Sequence, residues 1–381
     1  MTASPVTRLD PMQARELFPI LQRRTYLNSC SLGALSTRSE AYLDDFRRLW
    51  HDMGASAWYA HWLARIEVLR ERAAAFHGVP ADTLALLPST SAALSVFSEC
   101  FTGSERTRVV TTELDFPTLV YQWVVKPEID VVVLRSRDGV GVEPEQFQEA
   151  VDERTLFVAT SHVYFTTGYV QDLDALAAIA HGAGARLIID GYQGAGQVPL
   201  RLADSEVDAY TSGPLKWLCG GPGLAYMYVR EDLVRRLEPR ITSWFATEGQ
   251  FDFDPEGFRY RDDARRFELG TPSLPTVHTA LGGQEIIDEV GMETIHARNR
   301  ALTHHLVERC REAGFSLRLP ESPERRSAIV MIRHDNPPRA VRHLASHDII
   351  VDYRPGHVRV SPHFYNTEDE LDLLVRVLAS A

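Results

Sequence analysis

Lysine is scarce in this sequence. Among 40 basic residues only two are lysines, Lys126 and Lys216, so arginine carries nearly every positive charge. An amine can lose its proton and attack a carbonyl group, which a guanidinium cannot do. Lys216 stands between Leu215 and Trp217, ahead of a glycine-rich turn and an apolar run. We therefore expect a partly desolvated amine with a lowered pKa, suited to a covalent bond with a carbonyl compound.

A carboxylate precedes this lysine at the end of a predicted strand. Asp190 closes the run ARLIID and opens the loop GYQGAGQ. Taken alone, it is more simply an aspartate in a turn or at a helix cap. A buried carboxylate in this place could also pair with a protonated pyridine nitrogen and keep the ring charged. Gln193, three residues later, could reach the phenolic oxygen of the same ring.

Two further segments supply what a phosphorylated pyridine would need. Ser89, Thr90 and Ser91 lie between a predicted strand and a predicted helix, where hydroxyls and free N–H groups can bind a dianion. A plain helix cap is the simpler interpretation of these three residues alone. Phe116, in ELDFPT, could stack on the ring or belong to the core. The order of phosphate turn, aromatic ring, aspartate and lysine predicts a site for pyridoxal 5′-phosphate.

Alternating strands and helices must position these groups. Helical periodicity covers residues 36–77 and 173–181, and residues 276–312 indicate long helices. This alternation predicts an α/β fold with a mostly parallel, doubly wound sheet, whose ligand lies at the carboxyl ends of the strands. We expect a segment 1–35 that joins the small lobe, a large domain 36–275 and a small C-terminal α/β domain 276–381. The runs typical of strands in the large domain are 83–87, 108–112, 129–134, 155–160, 185–190 and 224–229.

Composition narrows the class of protein. A formal net charge of −12 disfavours a nucleic-acid partner, and no window is apolar enough for a membrane span. The four cysteines are widely spaced, so neither a metal site nor a disulfide framework is indicated. The N-terminus lacks the pattern of a signal peptide. We expect a cytoplasmic protein with free thiols.

The segment from SHVYFTTGYV to GPLKWLCGGPGLAYMYVR resembles the cofactor core of the class V aminotransferase family, within the fold-type-I pyridoxal-phosphate enzymes. The resemblance extends from YLNSCSLGAL, through ELDFPT, SWF and RFELGTPSLP, to VRVSPHFYNTEDELDLLV. The family includes kynureninases, cysteine desulfurases and isopenicillin N epimerase. The resemblance implies an amino acid substrate, a large domain with a small C-terminal lobe, and a homodimer with shared active sites.

The resemblance also implies a role for each matching residue. Lys216 would form the Schiff base and move the Cα proton, and Asp190 would pair with the pyridine nitrogen. Arg359 would bind the substrate α-carboxylate. Gly270 and Thr271 would reach the phosphate of the neighbouring subunit, with Trp244 helping there. The remaining cofactor contacts that it implies are Thr90 and Ser91 at the phosphate, Phe116 on the ring, Gln193 at the phenolic oxygen and Ser212 as a further phosphate contact.

Two departures limit the choice of reaction. The stretch VDYRPGHVRVSP lacks the cysteine that desulfurases carry just before this arginine, which argues against a persulfide-forming desulfurase. Leu215 replaces the His or Tyr that often precedes the lysine. His162 could either support residues that contact the cofactor or have a purely structural role. An external aldimine and a Cα carbanion or quinonoid would lead to transamination, with kynureninase-like hydrolysis, β-elimination or epimerisation as alternatives. A non-catalytic module that senses pyridoxal phosphate is a further alternative.

Overall fold

The computed structural model describes residues 8–381, so the first seven residues of the predicted segment 1–35 lie outside the described part. The α-helices are α1 Pro11–Arg15, α2 Thr37–Met53, α3 Leu63–His77, α4 Thr90–Glu99, α5 Pro117–Val124, α6 Pro144–Ala150, α7 Leu173–Gly182, α8 Glu231–Val234, α9 Leu274–Val290, α10 Met292–Glu312, α11 Pro337–Ala345 and α12 Glu368–Leu378. The strands are β1 Thr25–Tyr26, β2 Leu84–Leu87, β3 Arg108–Thr112, β4 Asp130–Leu134, β5 Thr155–Ser161, β6 Arg186–Asp190, β7 Ala209–Ser212, β8 Ala225–Val229, β9 Leu317–Arg318, β10 Val330–Arg333, β11 Ile349–Ile350, β12 Asp352–Arg354 and β13 His357–Val360.

A seven-stranded sheet forms the centre of the molecule, in the order β2-β8-β7-β6-β5-β3-β4. β8 pairs antiparallel with both of its neighbours, and the other pairs are parallel. The prediction of a mostly parallel sheet is confirmed. Because parallel strands end at one edge, the loops after β2, β3, β5, β6 and β7 meet there.

Alternation along the strands supplies an apolar surface on each face of this sheet. In β6, Leu187 and Ile189 belong to one buried cluster and Ile188 belongs to another. Neighbouring side chains of a strand point to opposite faces, so a continuously apolar strand is buried on both sides. Helices α2, α3 and α9 cover one face, and α4 and α5 cover the other.

The C-terminal part forms a second, smaller core. Strands β12, β13, β10 and β9 make an antiparallel sheet, against which α10 and α12 pack. The N-terminal segment reaches this part, because Thr25 pairs with Ile349 and Asn28 pairs with Ser361. The boundaries at 35 and 275 stay a prediction. None of the helices within residues 8–381 combines the length and the apolar character that crossing a membrane requires.

Candidate active site

A cavity of about 410 Å³ opens at the carboxyl ends of the parallel strands. The central sheet, the N-terminal segment and the C-terminal sheet all contribute to its wall. The predicted site residues that line the cavity are Thr90, Ser91, Phe116, Asp190, Gln193, Lys216 and Arg359. Residues far apart in the sequence therefore meet at one place, which is the place that the sheet topology predicts for a ligand.

Lys216 lies in the loop between β7 and β8. The next side chain, Trp217, is fully buried, and its indole N–H donates to Gln193 Oε1 at 2.9 Å. Gly33 packs against the backbone of this loop, because a Cβ there would stand 2.1 Å from the carbonyl oxygen of Lys216. The backbone N–H of Gly33 also donates to the carbonyl of Leu215 at 2.9 Å. The loop that carries the lysine is thus fixed from both sides.

The electrostatics of Lys216 suit a nucleophilic amine. Burial lowers the pKa of Lys216 to about 8, and Asp190 opposes that change. Its Nζ lies 5.2 Å from the centre of the Tyr192 ring and 5.8 Å from that of Phe116. Within residues 8–381 no carboxylate forms an ion pair with Lys216 that would stabilise its protonated form. The amine therefore loses its proton within reach of neutral pH.

Asp190 ends β6 and is 7% exposed. The backbone N–H of Tyr192 donates to its Oδ1 at 2.9 Å. Burial raises the pKa of Asp190, while the Tyr192 hydrogen bond and Lys216 act in the opposite sense. A carboxylate that has little hydration is stabilised by a cationic partner, and a protonated pyridine nitrogen provides one.

The N-terminus of α4 forms the predicted anion site. Ser89 caps the helix, because its Oγ accepts the N–H of Ala92 at 3.2 Å. Ser91 Oγ lies 3.0 Å from Thr118 Oγ1, which also lines the cavity. Thr90 Oγ1 is buried and has no hydrogen-bond partner within residues 8–381. A buried hydroxyl without a partner is costly, so this side chain suits a ligand with acceptor oxygens at the helix N-terminus.

Phe116 and Gln193 occupy the walls beside the lysine. Phe116 is 45% exposed and meets the ring of Phe165 edge-on, with 5.2 Å between ring centres. Gln193 donates through Nε2 to the carbonyl of Cys30 at 2.9 Å, and its Oε1 accepts from Trp217. One Nε2 hydrogen of Gln193 remains for a ligand, since an amide NH₂ has two.

Arg359 projects from β13 and is 1% exposed. Its guanidinium contacts Ser31 and Asp352, and Arg354 lines the same cavity. A buried cation beside the lysine can bind an anionic group of a substrate.

Ser212 lies away from the cavity wall. It ends β7, is 1% exposed, and its hydroxyl lies 2.8 Å from His77 Nε2. Burial lowers the pKa of His77 to about 3, so the pair is a neutral hydrogen bond inside the core. The phosphate contact expected of Ser212 stays a prediction.

Trp244, Gly270 and Thr271 also lie outside the cavity of their own chain. Thr271 is exposed, and Trp244 is 42% exposed and stacks on Phe253 with 6.3 Å between ring centres. This placement is what a contribution to a neighbouring subunit requires. That contribution stays a prediction.

His162 is buried behind the cavity wall and makes hydrogen bonds within the protein. Its Nδ1 lies 3.1 Å from the hydroxyl of Tyr210, and its backbone N–H donates to the carbonyl of Asp190 at 2.8 Å. Burial lowers the pKa of His162 to about 4, so its ring is neutral. It therefore supports the backbone behind Asp190 and does not line the cavity.

Several cavity residues were missed by the sequence argument. They are Cys30, Ser31, Thr118, Ser161, Val163, Phe165, Tyr192, Gly223, Leu224 and Arg354. Tyr192 stands between Asp190 and Gln193, so its position alone could have indicated it. Ser31 and Arg354 carry no such signal, because only the docking of distant segments brings them to the cavity.

Comparison with known proteins settles the family. The model of the aminotransferase class-V family matches residues 35–374. The chain belongs to the class V aminotransferase family. The cofactor of this family is pyridoxal 5′-phosphate, and the lysine, the aspartate and the unpaired Thr90 hydroxyl fit it.

Relatives within the class V family cover nearly the whole chain. An "uncharacterized aminotransferase YcbU" of Bacillus subtilis is 31% identical over 361 residues, which are 95% of this chain and 95% of that protein. A kynureninase of Shouchella clausii is 28% identical and covers 99% of this chain and 92% of its own length.

Solved structures confirm the fold-type-I architecture. A cysteine desulfurase from Thermococcus onnurineus superposes with a TM-score of 0.88 at 19% identity, covering 100% of this chain and 99% of its own. The cystine C–S lyase C-DES, solved with its product cysteine persulfide, gives a TM-score of 0.87 at 20% identity, covering 95% and 99%. At these identities the likeness concerns the fold alone.

Proposed function

We propose that the protein is a pyridoxal-phosphate enzyme that acts at Cα of an amino acid. One observation carries this proposal. The amine of Lys216, with its pKa lowered to about 8, shares a cavity with Asp190, the N-terminus of α4 and Arg359. These groups supply a nucleophile, a partner for a pyridinium, an anion site and a carboxylate site in one place.

Three side chains of the cavity would act on the cofactor and the substrate. The bound cofactor supplies an electron sink beside the substrate Cα. Lys216 would bind the aldehyde carbon of the cofactor and move the proton at Cα. Asp190 would keep the proton on the pyridine nitrogen. Arg359 would hold the α-carboxylate, which fixes the direction of the Cα–H bond relative to the ring.

The remaining contacts would hold the cofactor in register. Thr90 and Ser91 would donate to the phosphate together with free N–H groups of α4. Phe116 would cover one face of the ring, and Gln193 would use its remaining Nε2 hydrogen at the phenolic oxygen. Ser212 would act only indirectly, through His77 and the end of β7.

Transamination is the reaction that we favour, because the relative named an aminotransferase covers 95% of both chains. Kynureninase-like hydrolysis or another β-cleavage is the second candidate, supported by the kynureninase relatives. Epimerisation follows the same loss of the Cα proton.

A persulfide-transferring desulfurase is disfavoured by the placement of the thiols. No cysteine occupies the stretch 351–362. Cys30 does line the cavity, but it comes from the N-terminal segment and is 1% exposed. Reactive thiols are usually partly exposed, so a buried thiol between Ser29 and Ser31 is poorly suited to carry sulfur to a second protein.

A substrate screen tests the proposal and separates the reactions. Purified protein loaded with cofactor is mixed with each amino acid, its absorbance is followed, and the products are identified by mass spectrometry. An oxo acid that appears with aminated cofactor indicates transamination, and ammonia or a cleaved side chain indicates β-cleavage. Exchange of the Cα hydrogen with inversion indicates epimerisation. A cofactor-loaded protein that no amino acid perturbs would favour the sensing module and contradict the proposal.

A further inference from the structure

The guanidinium of Arg359 already has partners in the cavity wall. Its Nη2 donates to Ser31 Oγ at 2.7 Å and to Asp352 Oδ2 at 3.0 Å. Its Nη1 donates to the carbonyl oxygen of Phe165 at 3.2 Å. Its Nε is buried and has no hydrogen-bond partner within residues 8–381. Both hydrogens of Nη2 are therefore in use.

Because both Nη2 hydrogens are in use, Arg359 has no free pair of parallel N–H donors for a carboxylate. A guanidinium presents parallel N–H pairs along two edges, Nε with Nη2 and Nη1 with Nη2. Nη2 belongs to both pairs and gives one hydrogen to each. A substrate carboxylate can bind Arg359 in the bidentate manner only if Ser31 or Asp352 gives up its hydrogen bond.

Charge decides which of the two must leave. Two carboxylates on one guanidinium repel each other, whereas the neutral hydroxyl of Ser31 can remain and donate to the newcomer. Asp352 also has a second cationic partner, because Arg354 Nη1 donates to the same Oδ2 at 2.7 Å. Ser31 Oγ donates to this Oδ2 at 3.4 Å, and the backbone N–H of Tyr353 donates to Oδ1 at 2.7 Å. The side chains of Asp352 and Arg354 are 30% and 28% exposed, so both have room to move. Arg359, at 2%, is fixed.

We propose that Asp352 is an internal competitor for the substrate carboxylate. It leaves Arg359 when the amino acid binds and stays paired with Arg354. This inference rests on the proposed function, because it needs an amino acid held on Arg359. Arg354 is then a positioning residue that acts through Asp352, and the pair sets how tightly the enzyme holds any carboxylate.

Binding measurements on Asp352→Asn test the competition. The cofactor-loaded protein is titrated with an amino acid that perturbs its absorbance. The matching carboxylic acid without an amino group is titrated by calorimetry. Removing the competing charge lowers the Kd of both ligands, by about tenfold if one charge-assisted hydrogen bond is at stake. An unchanged or higher Kd overturns the proposal, since a merely structural Asp352 would loosen Arg359 when it is replaced.

Two further variants support this test. Asp204→Asn makes the same charge change at an exposed pair with Arg201, and it leaves both Kd values unchanged. Asp352→Ser removes the same carboxylate with a smaller side chain, and it gives the same answer if the asparagine variant does not fold.

A double-variant cycle separates direct from indirect action of Arg354. Arg354→Gln deprives Asp352 of its second partner, so Asp352 holds Arg359 more firmly and the Kd rises. In the Asp352→Asn background the same change has no effect. An equal rise in both backgrounds would mean that Arg354 binds the ligand itself, and the proposal would be wrong.

The outcome also distinguishes this inference from the proposed function. If no amino acid perturbs the wild-type protein, the proposed function fails. If the wild type responds and Asp352→Asn responds with the same Kd, only the competition fails.

Discussion

At the scale of the residue, one amine and one carboxylate form the centre of the cavity. Lys216 and Asp190 both lose hydration on folding. Burial lowers the pKa of Lys216 and raises the pKa of Asp190, which favours the neutral form of each. Each opposes that change in the other. A bound pyridinium would give Asp190 a cationic partner other than Lys216, and the amine would then be available for covalent chemistry.

Replacing Lys216 is the most direct residue-scale prediction. Lys216→Ala removes the amine, so we expect the visible absorption band of the bound cofactor and all turnover to disappear. Absorbance and a borohydride-reduction assay measure this. Lys126→Ala is the matched control, because Lys126 pairs with Glu99 at 2.7 Å away from the cavity. A reducible linkage that survives in Lys216→Ala would assign the cofactor to another amine.

The lowered pKa of Lys216 predicts how cofactor capture depends on pH. Only the neutral amine attacks the aldehyde, and its fraction rises with pH until the pKa of about 8 is passed. We expect the capture rate of the cofactor-free protein to increase about tenfold per pH unit below that value and to level off above it. Stopped-flow absorbance measures the profile. A rate that keeps rising to pH about 10 would indicate an ordinary solvated lysine.

Arg359 provides the third residue-scale prediction. Lysine cannot reproduce the parallel donors of a guanidinium, so Arg359→Lys should raise the KM of an amino acid at least about tenfold. The absorbance of the bound cofactor should stay normal. Amines without a carboxylate serve as the matched substrates and should lose little. An unchanged KM would place the carboxylate elsewhere.

At the scale of the element, the N-terminus of α4 is the predicted anion site. Ser89 accepts one free N–H of the helix, and the Thr90 hydroxyl has no partner among residues 8–381. The ten-residue helix also directs the positive end of its dipole to this place. Helix start, cap and unpaired hydroxyl therefore coincide at the cavity.

We predict that Thr90→Val weakens cofactor binding about tenfold while the fold is kept, because valine has the shape of threonine without its donor. Equilibrium titration of the cofactor-free protein measures the Kd. Ser95→Ala is the control on the same helix, since its hydroxyl bonds to the Ser91 carbonyl and to Gln122. Equal affinity in Thr90→Val and wild type would show that the phosphate binds elsewhere.

At the scale of the whole molecule, the three residues predicted to serve a neighbouring subunit lie outside the cavity of their own chain. Trp244, Gly270 and Thr271 are each at least partly exposed, and Trp244 packs against the exposed rings of Phe251 and Phe253. A second copy of the chain would pack against these residues. Each subunit would then supply them to the phosphate site of the other subunit.

We therefore expect an active homodimer with shared sites. Light scattering coupled to size exclusion should give twice the mass of 42.8 kDa. Mixing Lys216→Ala with a Thr271→Arg variant should restore part of the activity, because a hybrid dimer keeps one intact composite site. A fully active monomer would contradict this arrangement.

Much of the fold follows from local sequence signals. The apolar runs at 84–87, 108–112, 186–190 and 225–229 form strands as predicted, because continuous apolar residues need burial on both faces of a sheet. β7 was missed, since AYTS is short and mixes small and polar residues. It is a strand because β6 and β8 supply partners on both of its edges.

The local sequence is enough to predict the chemistry that depends on one residue and its immediate neighbours. A rare lysine between apolar residues, a strand-end aspartate and a hydroxyl-rich helix start each have a local pattern. These residues lie together in the cavity because the parallel strands that carry them end at one edge of the sheet.

The tertiary structure alone sets the contacts between distant segments. It placed Ser212 on His77 and not at the cavity, and it brought Ser31 onto Arg359. Such pairings depend on how separate elements dock, since a hydrogen bond between residues hundreds of positions apart leaves no pattern at either end. The local sequence specifies which groups can react, and the docking of the elements decides which partners they have.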